Sequence, residues 1–210
     1  MPDLKQKIIL STAYLPPISY FKVLIKAEEV LIEQHENFVK QTYRNRCNIL
    51  AANGEMNLIV PIEKNSGNKI NIRDVKIDYL TNWQKQHLKS IESAYRNSPF
   101  YEFYIDDFIT IYNKKHKFLF DFNLEIIQKL LEEFEIEKQI NLSSKFEVKP
   151  ENLIDYRNEI HPKKEFEHLN KLTENPYYQV FSDKFDFIPN LSSIDLLFNL
   201  GHESNLYLAS

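Results

Sequence analysis

Glycine is so scarce in this chain that several common ligand-binding folds are ruled out. Only three of the 210 residues are glycine: Gly54, Gly67 and Gly201. A dinucleotide-binding fingerprint needs three closely spaced glycines, and a P-loop needs two near a Lys-Ser or Lys-Thr pair. The nucleophile elbow of common hydrolases also places glycines on both sides of its serine. Because the three glycines lie far apart, any bound phosphate must be held by side chains or by amides at a helix start.

Charge and hydropathy narrow the classes of function. The chain carries 26 Lys and Arg against 30 Asp and Glu, a net charge of −4, whereas a general nucleic-acid coat needs a basic excess. No stretch approaches the ~20 apolar residues of a membrane-spanning helix, and the N-terminus lacks a signal-peptide pattern. The single Cys47 excludes an internal disulfide and a two-cysteine zinc motif. We therefore expect a cytoplasmic protein without nucleic-acid partner, membrane span or metal site; the sequence identifies no cofactor.

The apolar pattern of the first half predicts a βαβ unit followed by a hairpin. Residues 7–10 and 30–32 are typical of buried strands, and Ser19 is placed to cap a short helix between them. Asn53-Gly54 joins two apolar runs, and this pair favours a tight type I′ turn. A polar loop is expected around Gly67.

The second half is predicted to be rich in helices. Apolar residues recur at helical spacing in four segments, and two further segments have strand-like composition. The helices are predicted at 82–96, 100–112, 123–136 and 194–199, and the strand-like patches at 144–148 and 177–181. We expect one compact α/β domain over residues 1–210, with a mixed sheet, a βαβ-like N-terminal half and a helix-rich C-terminal half. The oligomeric state stays open.

A basic island lies in the segment QTYRNR and its preceding lysine. Arginine side chains grip phosphate or carboxylate with two parallel hydrogen bonds, and a tyrosine can stack on a base or a sugar. The alternative is a solvated loop with one arginine tied to the fold. The candidate substrate-binding residues here are Lys40, Tyr43, Arg44, Asn45 and Arg46.

A second candidate is the block His161-Pro162-Lys163-Lys164. Proline restricts the backbone of the residue before it, and neighbouring ammonium groups favour a neutral imidazole at pH 7. His161 is therefore a candidate general base, with Lys163 available to offset negative charge. The alternative is a turn with exposed lysines.

Four further residues are candidates with structural alternatives. Trp83 and His87 share one helix face and could line a substrate site, or form a core with a hydrogen-bonded histidine. Asn190 could contact substrate or serve as a cap. Asp195 is a carboxylate among apolar neighbours, which is costly unless it is paired. It could pair with an arginine or with His161 in catalysis, or sit in the first helical turn, where the macrodipole favours it.

Six sequence blocks resemble the WbqC-like family, in order and over almost the whole chain. They are YLPPISYF at 14–21, QTYRNRC at 41–47, NWQKQHL at 82–88, SAYRNSPFYEFY at 93–104, IHPKKEF at 160–166 and FIPNLSSIDLLFNLG at 187–201. The shorter form typical of Bacteroidetes bacteria is the most similar.

The resemblance implies a role in surface polysaccharide and O-antigen biosynthesis. It favours a transferase acting on a nucleotide-linked amino sugar, with Tyr14 or Tyr43 stacking on the substrate. Many family members carry His-Gln-Pro shortly before Tyr-Leu-Pro, whereas here the matching stretch is Leu10-Ser11-Thr12-Ala13. The absent histidine leaves His161 as the best candidate base.

Two hypotheses of different class follow. In the first, the protein is an enzyme whose small-molecule substrate is a nucleotide sugar. In the second, it is a non-catalytic module that binds a glycan precursor or a partner enzyme, and exposed aromatics at Tyr101, Phe103 and Tyr104 would suit such an interface. Convergence of Arg44, Arg46, His161 and Asp195 in one cleft would favour the enzyme. RNA binding through the QTYRNR loop is disfavoured by the acidic balance.

Overall fold

The computed structural model of the protein describes residues 7–64, 69–164 and 166–210. The expected loop around Gly67 lies outside these residues. The elements of the first half are β1 (Lys7–Ser11), α1 (Ile18–Lys26), β2 (Glu29–Glu33), β3 (Arg46–Ala51) and β4 (Gly54–Ile59), followed by a 3-10 turn at Ile72–Asp74. Those of the second half are α2 (Trp83–Tyr95), α3 (Tyr101–Asn113), α4 (Leu119–Glu133), β5 (Ile140–Leu142), β6 (Ile154–Asp155), α5 (Glu167–Thr173), α6 (Ser193–Leu200), a 3-10 turn at Gly201–Glu203 and α7 (Ser204–Ala209).

The predicted βαβ unit forms the centre of a four-stranded parallel sheet. The strand order is β5-β2-β1-β6, and β1 pairs with β2 in the register Ile8↔Val30 to Leu10↔Ile32. These residues are apolar on both faces of the strands because helices and loops cover a parallel sheet on both sides. The α/β class is confirmed, with parallel and antiparallel pairing divided between two sheets.

The second sheet is the antiparallel β3–β4 hairpin. Ala51 pairs with Gly54, so the turn is Ala52-Asn53, one residue earlier than predicted. Positive φ occurs at Gly54 (+107°) and at neither turn residue, so the predicted type I′ turn does not form.

Helices α2 to α4 pack on one another, and α2 lies against β3. On another part of the molecule, α1 contacts α5, α6 and α7. The start of α6 is tied to the loop after β1, because the Ser193 amide donates to the Pro16 carbonyl at 2.8 Å. One apolar core joins both groups of helices to the two sheets.

Two predicted strands are wrong. The segment 144–148 is irregular, and the strand lies earlier at β5, where Ile140–Leu142 can pair with Val30–Ile32 of β2. The segment 177–181 is also irregular. There the side chain of Gln179 hydrogen-bonds the Ile188 backbone through both its oxygen and its nitrogen, which takes the place of a neighbouring strand.

Candidate functional site

The topology marks one edge of the parallel sheet as the place for a site. Strand β1 has β2 on one side and β6 on the other, so the chains leaving β1 and β6 separate at their carboxyl ends. Ligands of open α/β sheets bind in the crevice at such a switch point.

A narrow pocket lies at this switch point. Its wall includes Leu10, Ser11, Thr12, Ala13, Tyr20, Tyr43, Arg44, Tyr156, Arg157 and Ile160. The stretch Leu10–Ala13 at the end of β1 therefore faces this pocket. The Thr12 hydroxyl is buried and has no hydrogen-bond partner among the described residues, and a buried polar group normally has one.

Arg44 forms one side of the pocket and is committed to the fold. It is 3% exposed and pairs with Glu36, which is 5% exposed. Its Nε donates to Glu36 at 2.9 Å and its Nη2 donates to the Ser11 hydroxyl at 2.7 Å. The Ser11 hydroxyl in turn donates to Glu36 at 3.1 Å. This network ties the loop after β2 to the end of β1.

Arg157 forms a second buried network at the wall of the pocket. Its Nη1 donates to Glu33 at 3.0 Å, and its Nε and Nη2 donate to the two carboxylate oxygens of Asp155 at 2.9 and 2.7 Å. The Ser143 hydroxyl also donates to Glu33, at 2.7 Å. The ends of β2, β5 and β6 are therefore joined by charge-assisted hydrogen bonds.

His161 lies partly buried after β6, close to the basic island. Its pKa is lowered by partial burial and by the positive charges of Lys164, Arg44, Lys163 and Arg46, in that order. The Nδ1 atom accepts a hydrogen bond from the Lys163 backbone amide at 3.0 Å. A neutral ring with an acceptor at Nδ1 carries its proton on Nε2, so His161 presents a hydrogen-bond donor there.

A basic surface joins the two predicted loops. The Lys163 ammonium donates to the Gln41 side chain, which brings the His161 block against the QTYRNR segment. Beside it lies a cavity of about 240 Å³ lined by Phe38, Lys40, Gln41, Asn45, Arg46 and Ile62. The structure therefore brings Lys40, Asn45 and Arg46 together around this cavity, next to Lys163.

Tyr14, Trp83 and His87 lie in the core instead of at the pocket. Tyr14 is fully buried, and its hydroxyl bonds to Nδ1 of His87 at 2.8 Å and to the Tyr112 hydroxyl. Trp83 packs edge-on to His87 with ring centroids 5.1 Å apart. Burial lowers the pKa of His87 to about 4, so the imidazole is neutral. These three residues have no surface for a substrate.

Asp195 also lies inside the molecule, in the first turn of α6. Its carboxylate accepts from the Tyr95 hydroxyl at 2.9 Å, from the Tyr177 hydroxyl and from Gln179 at 3.4 Å. Neither an arginine nor His161 is among these partners. Burial raises the pKa of Asp195 to about 6, although the hydrogen bonds oppose this shift.

The Asp195 cluster predicts a pH-dependent stability. An aspartate in the unfolded chain titrates near pH 4, so between pH 4 and 6 the folded state binds more protons than the unfolded state. The free energy of unfolding therefore falls as pH rises through this window and levels off above it. We expect the stability of Asp195→Asn relative to wild type to increase by about 2–3 kcal/mol between pH 4 and pH 7.5, because only the wild-type carboxyl titrates in this window. Urea unfolding at both pH values measures this difference in the free energy of unfolding, and the exposed Asp106→Asn serves as the control. A difference between Asp195→Asn and wild type that did not change with pH would refute the prediction.

Asn190 caps α1 across the fold. It has a positive φ of 57°, and its side-chain oxygen accepts from the Ser19 amide at 2.9 Å. Ser19 lies within the first turn of α1, which begins at Ile18. The N–H groups of a first helical turn lack partners within the helix, so this contact explains Asn190 without a ligand.

Sequence reasoning missed four residues of the site, two of them acidic. Glu33 ends β2, Glu36 follows it, and Arg157 follows β6, with Ser11 at the end of β1. The available signal was position, because charged or polar residues directly after buried strands gather at the carboxyl edge of a parallel sheet.

The described part of the chain contains neither a metal-binding cluster nor a membrane-spanning helix. Residues 7–64, 69–164 and 166–210 contain no cluster of histidine, cysteine and acidic side chains suited to a metal ion. Over the same residues, no helix has the length and apolar character needed to cross a membrane.

Comparison with known proteins places the chain in a family. It is 28% identical over 92 residues to the uncharacterized protein Rv1507c of Mycobacterium tuberculosis, a match that covers 44% of this chain and 39% of that protein. The match thus spans about two fifths of the relative's length. No solved structure matches the chain. The model of the WbqC-like protein family matches residues 12–166, well over half of the chain, including the QTYRNR and His161 segments. The block at 187–201 lies beyond this match. Because the matched residues make up well over half of the sequence, the chain belongs to the WbqC-like protein family.

Proposed function

We propose that the protein binds a nucleotide-linked sugar at the carboxyl edge of its parallel sheet and acts as a transferase in surface polysaccharide biosynthesis. The observation that carries this proposal is the convergence of the QTYRNR and His161 segments beside the β1–β6 switch point. A basic surface on a chain of net charge −4 attracts an anionic ligand to one place.

The two arginines of the pocket and the nearby cations have different tasks in this proposal. Arg44 and Arg157 are held by carboxylates, so they shape the pocket and leave phosphate binding to other groups. Arg46, Lys163 and Lys164 are the cations that supply this charge, together with Lys40, which also lines the cavity. Side chains thus replace the missing glycine loop.

In this proposal, His161 acts on the group that reacts. Its neutral ring offers Nε2–H to a phosphate or carbonyl oxygen, which stabilises negative charge as it develops. A role as general base requires Nδ1 to release the Lys163 amide and turn toward the acceptor amine or hydroxyl. In either role we expect His161→Ala to lower turnover by roughly 10²-fold, whereas unchanged turnover would remove His161 from the mechanism.

The proposal is tested by a thermal-shift screen against nucleotides, nucleotide sugars, acyl-CoAs and free amino sugars. We expect a nucleotide sugar to raise the melting temperature, because a ligand at 100 times its Kd adds about 2.7 kcal/mol to stability. Arg46→Ala should reduce that shift, and the exposed Arg96→Ala is the matched control. Equal shifts in wild type and Arg46→Ala would place the ligand elsewhere.

A non-catalytic binding module is the second candidate, and one observation favours it. Phe103 is 75% exposed on α3, as an interface aromatic would be. Tyr101, which the same hypothesis placed at the surface, is only 6% exposed, and Tyr104 is partly buried. Binding without turnover, together with full tolerance of His161→Ala, would favour this candidate.

A further inference from the structure

The cavity beside Arg46 has apolar walls that the fold holds in place. Phe38 and Ile62 line it, and both are partly buried residues that pack against the main core. The Phe38 amide donates to the Ile70 carbonyl at 2.8 Å, and Ile62 forms a β-bridge with Ile77. These backbone contacts belong to the fold itself, and small-molecule sites are usually preformed in this way.

Arg46 adds a planar cation to the same wall. The salt bridges that arginines form in the described part of the chain belong to Arg44 and Arg157, so the charge of Arg46 is left for a ligand. A guanidinium group is flat, and bases stack on guanidinium planes as well as on aromatic rings. Phe38 and Arg46 are therefore the two residue types that bind a flat ring system.

Further cations lie beside the cavity. Lys40 is in its wall, and the Lys163 ammonium donates to the side chain of Gln41, another wall residue. A ligand with a ring system in the cavity and phosphates attached to it would meet these positive charges. A sugar phosphate would instead bring hydroxyl groups against Phe38 and Ile62, where they lose hydrogen bonds to water.

The size of the cavity limits what it can hold. Its volume of about 240 Å³ is below the roughly 300–1,000 Å³ of a pocket for a whole drug-sized ligand. The cavity therefore suits one ring system of a larger ligand whose charged remainder lies on the basic surface.

We propose that this cavity is the nucleobase subsite of the nucleotide sugar, with the base against Phe38, Ile62 and the Arg46 guanidinium. This inference rests on the proposed function. The ligand then lies with its base in the cavity, its phosphates on the neighbouring cations and its sugar toward the His161 segment. The base does not stack on Tyr14 or Tyr43, because the first is fully buried and the second is 8% exposed.

The test compares UDP, ADP and inorganic pyrophosphate by isothermal titration calorimetry. Pyrophosphate has two linked phosphates and no base, so its binding measures the phosphate part alone. We expect wild type to bind at least one of the two nucleotides roughly 10-fold or more tighter than pyrophosphate, as base stacking would give. Phe38→Ala and Ile62→Ala should each weaken binding of that nucleotide several-fold and leave pyrophosphate affinity unchanged. Arg46→Lys keeps the charge and removes the guanidinium plane, so it should lose the preference and still bind pyrophosphate. Lys163→Ala should weaken both ligands alike, and the exposed Arg96→Ala should change neither.

The outcomes separate this inference from the proposed function. Equal affinity of wild type for the nucleotides and pyrophosphate would overturn the base subsite and leave the phosphate site standing. No binding of any of the three ligands would overturn both proposals. A preference that survives Arg46→Lys together with either Phe38→Ala or Ile62→Ala would place the base outside this cavity and overturn the inference. Melting temperatures and pyrophosphate affinity show which variants are folded.

Discussion

Arg44→Ala is expected to lower the free energy of unfolding by about 3–5 kcal/mol, because it leaves a buried carboxylate without its counter-ion. Glu36 is 5% exposed and accepts from Arg44 and Ser11. Urea unfolding at pH 7 measures this loss. It is a large fraction of the roughly 5–15 kcal/mol by which a typical native domain is stable.

Two controls isolate the buried pair as the cause. The exposed Arg96→Ala removes the same side chain from the surface and should change stability by less than about 0.5 kcal/mol. The double variant Glu36→Gln with Arg44→Met removes both charges and should recover part of the loss, since replacing a buried pair by neutral groups is often tolerated. A loss below about 1 kcal/mol for Arg44→Ala would show that the pair is hydrated.

Gly201→Ala is expected to destabilise the fold by about 3 kcal/mol, through backbone strain and overpacking together. Gly201 ends α6 with φ 57° and ψ −130°, a conformation that residues with a Cβ rarely adopt. An added Cβ would lie 2.6 Å from a ring carbon of Phe100. The Phe100 amide donates to the Phe198 carbonyl at 3.0 Å, which restricts how far the ring can withdraw.

Gly54→Ala separates strain from collision in the same measurement. Gly54 also has a positive φ, of 107°, but a Cβ there would meet nothing within 4 Å. It should therefore show the strain alone, about 1–2 kcal/mol. Chemical unfolding of both variants measures the two losses in the free energy of unfolding. A smaller loss for Gly201→Ala than for Gly54→Ala would contradict the collision with Phe100.

Local patterns in the sequence were sufficient to predict the βαβ unit and the long helices. The apolar run at Ile8–Leu10 predicts a buried strand, and helical spacing predicts α2 and α3 within one residue of their ends. Helix α4 begins at Leu119, four residues before the predicted start, because the aromatic residues at its beginning pack into the core.

The remainder depends on contacts between distant parts of the chain. Strand β6 has two residues, and Ile154 pairs with Ile8, so no local period identifies it. The Arg157–Glu33 pair joins residues 124 positions apart. For Asp195 the sequence left open a pairing with an arginine or His161 and a place in the first helical turn. It does lie in that turn, and its partners Tyr95 and Tyr177 come from segments that the sequence does not link to it.

The candidate site was predicted in part for the same reason. The QTYRNR and His161 blocks could be recognised as basic and aromatic segments, and the structure brings them together through Lys163 and Gln41. Composition could not separate Arg44, which is bound to Glu36, from Arg46. That distinction depends on the end of β2, where Glu36 lies.

We propose that three distant segments form one ligand site at the carboxyl edge of the parallel sheet. The most direct measurement is a nuclear magnetic resonance titration of the nitrogen-15-labelled chain with UDP-N-acetylglucosamine. We predict that the largest amide shifts fall in residues 10–13, 41–46 and 156–164, with the His161 ring signals moving in the same concentration range. Shifts confined to α2 and α3, or no shifts at millimolar ligand, would contradict the claim.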